Sequence, residues 1–117
     1  MILWFTGNTG AGKTATAKTI SRKNCIHLDG DDLRYVWSGL DLSTKGRMEN
    51  CKRTAKLANL LESQGYTVIV SVIAPTKKIR EEIDRICNPI WIYVEGGAKN
   101  TPQTPYEIPK TLLKVDK

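Results

Sequence analysis

The sequence predicts an α/β protein, a three-layer α/β/α fold on a mostly parallel sheet of about five short strands. Three observations carry that expectation. Short apolar runs alternate with helix-compatible stretches along the chain, the pattern of strands joined by crossover helices. Residues 67–73 are rich enough in Val and Ile to be covered on both faces, as inner strands of parallel sheets are. Residues 7–14 read Gly-Asn-Thr-Gly-Ala-Gly-Lys-Thr, a G-x-x-x-x-G-K-T pattern set between a β-prone run and a helix-compatible one.

The elements follow in order. Residues 2–6 are apolar and read as the first strand; residues 15–23 contain no Gly or Pro and suit a helix. Between them, Gly7, Asn8, Thr9, Gly10, Ala11, Gly12, Lys13 and Thr14, with Ala15 behind them, form the expected phosphate-binding loop. Its glycines let backbone N–H groups turn inward around an anion without Cβ clashes, and the helix start adds unpaired N–H groups and positive dipole. Lys13 is placed to reach β- and γ-phosphates, and the Thr14 hydroxyl to ligate Mg²⁺. The chain therefore reads as a nucleoside triphosphate binder of the P-loop NTPase fold, with Mg²⁺ beside the phosphates.

Residues 25–28 give a short second strand running into Asp29-Gly30-Asp31-Asp32, with Asp31 or Asp32 expected to cap a short helix through about residue 37. A loop over 38–43 leads to a long helix over about 44–64. On it Met48, Cys51, Ala55, Ala58 and Leu61 recur at helical spacing as a buried stripe, and Gly65 serves as the C-terminal cap. The third strand spans 67–73. Ala74-Pro75-Thr76 turns into a helix ending near Ile86, the fourth strand covers 89–94, residues 95–110 read as loop, and 112–115 as a last short strand. Without repeats, the 117 residues read as one domain over 1–117.

Composition narrows the function. A hydrophobic fraction of 40% and a charged fraction of 26% suit a globular soluble protein. No apolar run approaches the ~20 residues that span a bilayer, and a strand beginning at Ile2 leaves no leader expected. Cys25, Cys51 and Cys87 match no metal template; they are expected to be buried small hydrophobes in a reducing cytoplasm. The net charge of +6 is concentrated in residues 1–60, with 10 Lys/Arg against 5 Asp/Glu. That half suits small polyanionic ligands. Nucleic acid ranks behind them, because no basic run exceeds two residues and no aromatic residues are interleaved. The sequence leaves the oligomeric state open.

The end of the second strand carries the acidic chemistry. Ligands of open parallel sheets gather at the carboxyl ends of strands, so Asp29, Asp31 and Asp32 are expected near the γ-phosphate if this strand neighbours the first. Phosphoryl transfer to an alcohol needs a carboxylate at the acceptor hydroxyl and oxygen ligands for Mg²⁺. Asp29 and Asp31 flank Gly30, so both can approach one site, with Asp29 joining Thr14 as a metal ligand. The third strand carries no Asp at its end. That favours a kinase-type site over a GTPase or motor.

The ordered set of that phosphate loop, Leu28-Asp29-Gly30-Asp31-Asp32-Leu33-Arg34, Leu42-Ser43-Thr44-Lys45-Gly46-Arg47-Met48-Glu49-Asn50, the run from Val68 through Ala74-Pro75, and Pro105-Tyr106-Glu107-Ile108-Pro109 resembles the adenylyl-sulfate (APS) kinase family. These enzymes move the γ-phosphate of ATP to the 3′-hydroxyl of APS, making PAPS. The resemblance implies that Asp31 faces the acceptor hydroxyl with Asp29 beside it and Lys13 on the phosphates. It also implies that Arg34 and Arg47 clamp the phosphosulfate, and that Asn50 and Ile73 complete the acceptor site. Guanidinium forks suit phosphate and sulfate oxygens, and Arg47 and Asn50, three apart, share a helix face. Surface ion pairing is the alternative for both arginines.

The departures concern base recognition. The family's basic helix and lid after the fourth strand are replaced by a short stretch before Pro105, and Leu42 stands where the family has a phenylalanine stacking on the acceptor adenine. Ala74 replaces the serine of its Ile-Ser-Pro turn. A slower kinase with weaker base selectivity is expected, since lids exclude water and complete sites. Lys99 in the loop is expected to be solvated. Two alternatives stay open: a P-loop kinase for another hydroxylated acceptor (nucleoside or nucleotide, sugar, or polynucleotide 5′-hydroxyl), and a non-catalytic nucleotide-binding module. His27 is expected to be a packed or edge residue and Trp4 core, with Trp37 and Trp91 undecided between core and rim.

Overall fold

The computed structural model describes residues 1–7, 12–17, 23–41, 43–95, 106–109 and 113–115. The elements run β1 (Ile2–Thr6), α1 (Lys13–Ala17), β2 (Cys25–Asp29), α2 (Gly30–Val36), α3 (Thr44–Ser63), β3 (Thr67–Ser71), α4 (Lys77–Cys87), β4 (Ile90–Val94) and β5 (Leu113–Val115). The five strands form one sheet in the order β2-β3-β1-β4-β5, and every pairing is parallel. This bears out the predicted α/β sheet.

The order decides a condition that the sequence left open. β2 does not neighbour β1; β3 lies between them. The reason is apolar content. Val68, Ile69 and Val70 are all fully buried, so β3 needs cover on both faces and takes an inner position. β2 carries the exposed His27 and takes the edge, where a polar side chain costs little.

Alternation along the strands splits the core between two faces. Ile2, Trp4, Val68, Val70 and Trp91 face α3 and α4, whose Cys51, Ala55, Ala58, Ile79 and Ile83 pack against them. Phe5, Ile69 and Val94 face the other way, with Ala17 of α1. Trp4 and Trp91 stack at a tilt, 5.5 Å between centroids, so Trp91 is core; Trp37 is half-buried. The α3 stripe is present, with Met48 and Leu61 at its partly buried margins. Of the cysteines, only Cys51 is buried. Cys25 and Cys87 are half-buried, and all three are unpaired.

Local signals set the element ends. Gly65, at φ +96°, takes the left-handed turn that stops α3, and its N–H donates to Glu62 O at 3.0 Å. Asn88, at φ 43°, ends α4. Two expectations shift here. Asp29, not Asp31 or Asp32, caps α2: its backbone is extended and its side chain accepts from Asp31 N. α2 begins directly after β2, which leaves Asp31 and Asp32 in the first turn, where acidic groups complement the dipole.

β3 ends at Ser71 rather than at residue 73, because the following carbonyls are taken from elsewhere. Val72 O accepts from Trp4 Nε1 at 2.8 Å, Ile73 O from the Cys51 thiol at 3.3 Å, Ala74 O from Arg80 at 2.6 Å, and Pro75 O from Glu107 N at 2.6 Å. The expectations for Asn8, Thr9, Gly10 and Ala11, for Leu42, for Lys99 and for most of the 95–110 loop lie outside the described residues.

Candidate functional site

The phosphate-loop end of the site rests on β1 and α1. Gly7 follows β1 and is buried. Gly12 sits at φ +94°, a conformation costly for any residue with a Cβ, and its carbonyl accepts from Thr16 N at 2.8 Å. That bond opens α1 with Lys13 and Thr14 as its first residues and Ala15 exposed behind them.

The Thr14 hydroxyl donates to Asp29 Oδ2 at 2.5 Å. Asp29 thus reaches the loop although its strand is separated from β1 by β3. The same oxygen accepts from Ser71 Oγ at 3.2 Å, and Oδ1 accepts from Asp31 N at 2.9 Å. One carboxylate therefore ties the phosphate-loop helix, the end of β3 and the start of α2. A hydroxyl and a carboxylate oxygen are hard donors in the number Mg²⁺ takes from protein when phosphates and waters complete its shell. Among the described residues no cluster of three His, Cys, Asp or Glu could hold a metal ion.

Asp31 is exposed, and its backbone N–H donates to Asp29 Oδ1. Gly30 adds little bulk between the two: a Cβ there would meet Ser71 O at 3.7 Å and Val72 Cα at 3.8 Å, ordinary contacts.

Of the acceptor-side candidates, Asn50 directly precedes Cys51 on α3 and Ile73 is hydrogen-bonded to it. Burial pushes the Cys51 thiol up to about 12, while the positive charges of Arg47 and then Arg34 pull it down. Its Sγ donates to Ile73 O. Asn50, buried beside it, accepts from Trp37 Nε1 at 2.8 Å. Arg34 is half-buried and takes part in no ion pair among the described residues.

A turn positions Arg47. Asp41 Oδ1 accepts from Ser43 N at 3.0 Å and from the Ser43 hydroxyl, and these bonds hold the Asp41 carboxyl below the usual carboxylate range. Ser43 Oγ in turn caps α3 by accepting from Gly46 N at 3.1 Å. A Cβ on Gly46 would stand 2.4 Å from Asp41 O, closer than any packed contact. The loop can lie on the first turn of α3 only because residue 46 is glycine.

Sequence reasoning missed a second cluster at the carboxyl end of β1. Thr6 Oγ1 lies 2.7 Å from the Tyr106 hydroxyl. Tyr106 stacks on Tyr93 at 6.1 Å and carries Arg80 over its ring at 5.5 Å. Arg80 is buried and donates to Ala74 O and, at 2.7 Å, to Glu107 O. Burial lowers its pKa and raises that of Tyr106. A signal existed: Arg80 lies one residue from Ile79 and three from Ile83 on the buried stripe of α4. Ser71, also missed, left none, since its register against Asp29 cannot be read from the sequence.

The sequence profile of the adenylylsulphate kinase family matches residues 1–107. The chain belongs to that family. An adenylyl-sulfate kinase of Picosynechococcus sp. is 40% identical over 80% of this chain and 58% of its own length. One of Acaryochloris marina is 36% identical over 70% of this chain and 43% of its own. The chain thus spans about half the length of these relatives. A solved structure of a mutant of the Mycobacterium tuberculosis APS kinase CysC superposes with a TM-score of 0.82 at 29% identity, covering 98% of this chain and 84% of that one. Family membership and the P-loop kinase fold agree with the sequence-based resemblance.

Proposed function

We propose that this chain is an ATP-dependent kinase that transfers the γ-phosphate of ATP to the 3′-hydroxyl of APS, forming PAPS. The observation that carries the reading is the contact of Asp29 with both Thr14 and the start of α2. It joins a nucleotide-binding loop to the element that bears Asp31 and Arg34. Family membership and the named activity of the relatives support the choice of acceptor.

Thr14 and Asp29 would hold Mg²⁺, which supplies charge neutralisation on the triphosphate. Lys13 binds the same phosphates. Asp31, with an exposed side chain on the first turn of α2, accepts the proton of the attacking hydroxyl. Arg34 and Arg47 grip the phosphosulfate, whose oxygens match their planar forks. Asn50, fixed by Trp37, and Ile73, fixed by Cys51, shape the acceptor pocket. Residues 1–117 act as one kinase domain in which the stretch after β4 serves in place of a lid. Cytoplasmic placement suits the three unpaired thiols, and no helix among the described residues is long and apolar enough to cross a membrane.

Mass spectrometry of products after mixing the protein with Mg-ATP and APS tests the reading. PAPS well above a Lys13→Ala control is expected. ATP binding without PAPS would move the search to other hydroxylated nucleotides, sugars and 5′-hydroxyl polynucleotides.

A further inference from the structure

We infer that Ser71 is a positioning residue for the metal-binding carboxylate: it holds Asp29 Oδ2 toward Thr14 without being a ligand itself. The inference rests on the proposed Mg-ATP site. Asp29 and Ser71 are register partners in the parallel pair β2–β3, so their side chains leave the same face of the sheet. Ser71 Oγ donates to Oδ2 at 3.2 Å, the oxygen that also receives the Thr14 hydroxyl at 2.5 Å.

The other oxygen is fixed independently, by Asp31 N at 2.9 Å. Oδ1 faces α2 and Oδ2 faces the phosphate loop, so the carboxylate plane has no freedom to rotate. Ser71 is only 8% exposed, and water competes poorly for a donor so enclosed. The Thr14 hydroxyl can offer a lone pair to a cation while its O–H still donates to Asp29. Ser71 acts through Asp29 alone. At the end of β3, which carries no Asp, a hydroxyl thus steers an acid from the neighbouring strand.

Groups that orient a metal's ligands characteristically change metal affinity about 10–100-fold when removed. The test uses the full chain and calorimetric titration of ATP in EDTA, then of Mg²⁺ in the presence of ATP, for Ser71→Ala and Ser71→Thr. The expected result for Ser71→Ala is metal-free ATP affinity within about two-fold of the parent and a Mg²⁺ midpoint raised by about ten-fold. Ser71→Thr, which keeps the hydroxyl, should restore the midpoint.

An unchanged midpoint in Ser71→Ala, or equal weakening with and without Mg²⁺, overturns the inference and leaves Ser71 a packing residue. Should Ser71→Ala not fold, Ser71→Cys keeps the volume with a weaker donor and is held to the same two outcomes. If the parent chain itself shows no Mg²⁺-dependent ATP binding, the site reading fails, a result distinct from a failure of Ser71 alone.

Discussion

The hydroxyl of Tyr106 lies 2.7 Å from Oγ1 of Thr6, across one hundred residues of chain and directly before the first glycine of the phosphate loop. Both groups are buried, so water cannot replace either partner. The other contact of the Thr6 hydroxyl, to Ala74 O, is long at 3.4 Å. Tyr106→Phe should therefore cost about 1–2 kcal/mol, as one buried hydroxyl loses its main partner. Denaturant titration checks this: the midpoint should fall with an unchanged slope. ATP affinity should fall with it if the Tyr106 segment steadies the loop.

Arg80 fastens the same segment from the helix side. Its two carbonyl bonds and the Tyr106 ring engage a cation whose burial already disfavours its charge. Arg80→Met keeps the apolar stem but leaves two carbonyls without a charged donor, an expected loss of about 2–4 kcal/mol at about 1.5–3 per charge-assisted bond, less the relief of burying a charge. Arg80→Lys retains charge without the fork and should fall between the two in a thermal melt.

What the sequence disclosed and what it hid divide along one physical line. Local signals were legible: the Gly12 turn, the Gly65 stop, the α3 stripe and the α/β alternation all depend on neighbours within a few residues. The family resemblance placed Asp29, Asp31, Arg34 and Arg47 in one site, and the structure ties Asp29 to the start of α2, the helix that bears Asp31 and Arg34. Relations across the sheet were not legible. Whether β2 lies beside β1 or beyond β3, which acid caps α2, and which hydroxyl meets Asp29 follow from register and strand order, set by burial over the whole domain. The shortening of β3 has the same origin, in side-chain donors as distant as Trp4 and Arg80.

Gly46 offers a contest between two effects of known size. Alanine in a helix is favoured over glycine by about 1 kcal/mol, so Gly46→Ala would stabilise an isolated α3. Here the added methyl would meet Asp41 O at 2.4 Å, and backbone cannot swing away as a side-chain tip can. Displacing Asp41 also breaks the Ser43 cap, worth about 1 kcal/mol. The variant should be less stable than the parent by about 1–2 kcal/mol, and a chemical melt decides the sign. Because Arg47 is the next residue, the acceptor KM should rise while the ATP KM stays nearly constant.

Cys51 and Cys87 both give alkaline pH dependence, since burial raises each thiol to about 12, and Cys51 is the more enclosed of the two. Its thiol is raised from 9.0 to about 12 in the fold, chiefly by burial, so the folded state holds a proton that the unfolded chain releases above pH 9. That contribution to stability is complete below pH 9 and is lost as pH rises toward 12. Stability of the parent should decline over this window, and Cys51→Ala should decline less steeply, the two curves converging at the alkaline end. In a Cys25→Ser/Cys87→Ser background, a disulfide reagent at pH 8 should label Cys51 no faster than the protein unfolds.

Arg34 and Asp31 separate binding from chemistry. Both sit on α2, and neither takes part in an ion pair among the described residues, so replacing either removes no such interaction and should move stability by less than about 0.5 kcal/mol. In the role proposed for it, Arg34 grips the acceptor through charge-assisted bonds, so Arg34→Ala should raise the acceptor KM by about 10–100-fold, the equivalent of about 1.5–3 kcal/mol, with ATP affinity nearly constant. Asp31→Asn keeps shape but cannot accept the hydroxyl proton; kcat should fall by about 100-fold or more while both KM values stay within a few-fold. Steady-state kinetics with each substrate varied in turn distinguishes the two patterns. A kcat loss shared equally by both variants would assign Arg34 to the reacting phosphoryl group instead of the acceptor.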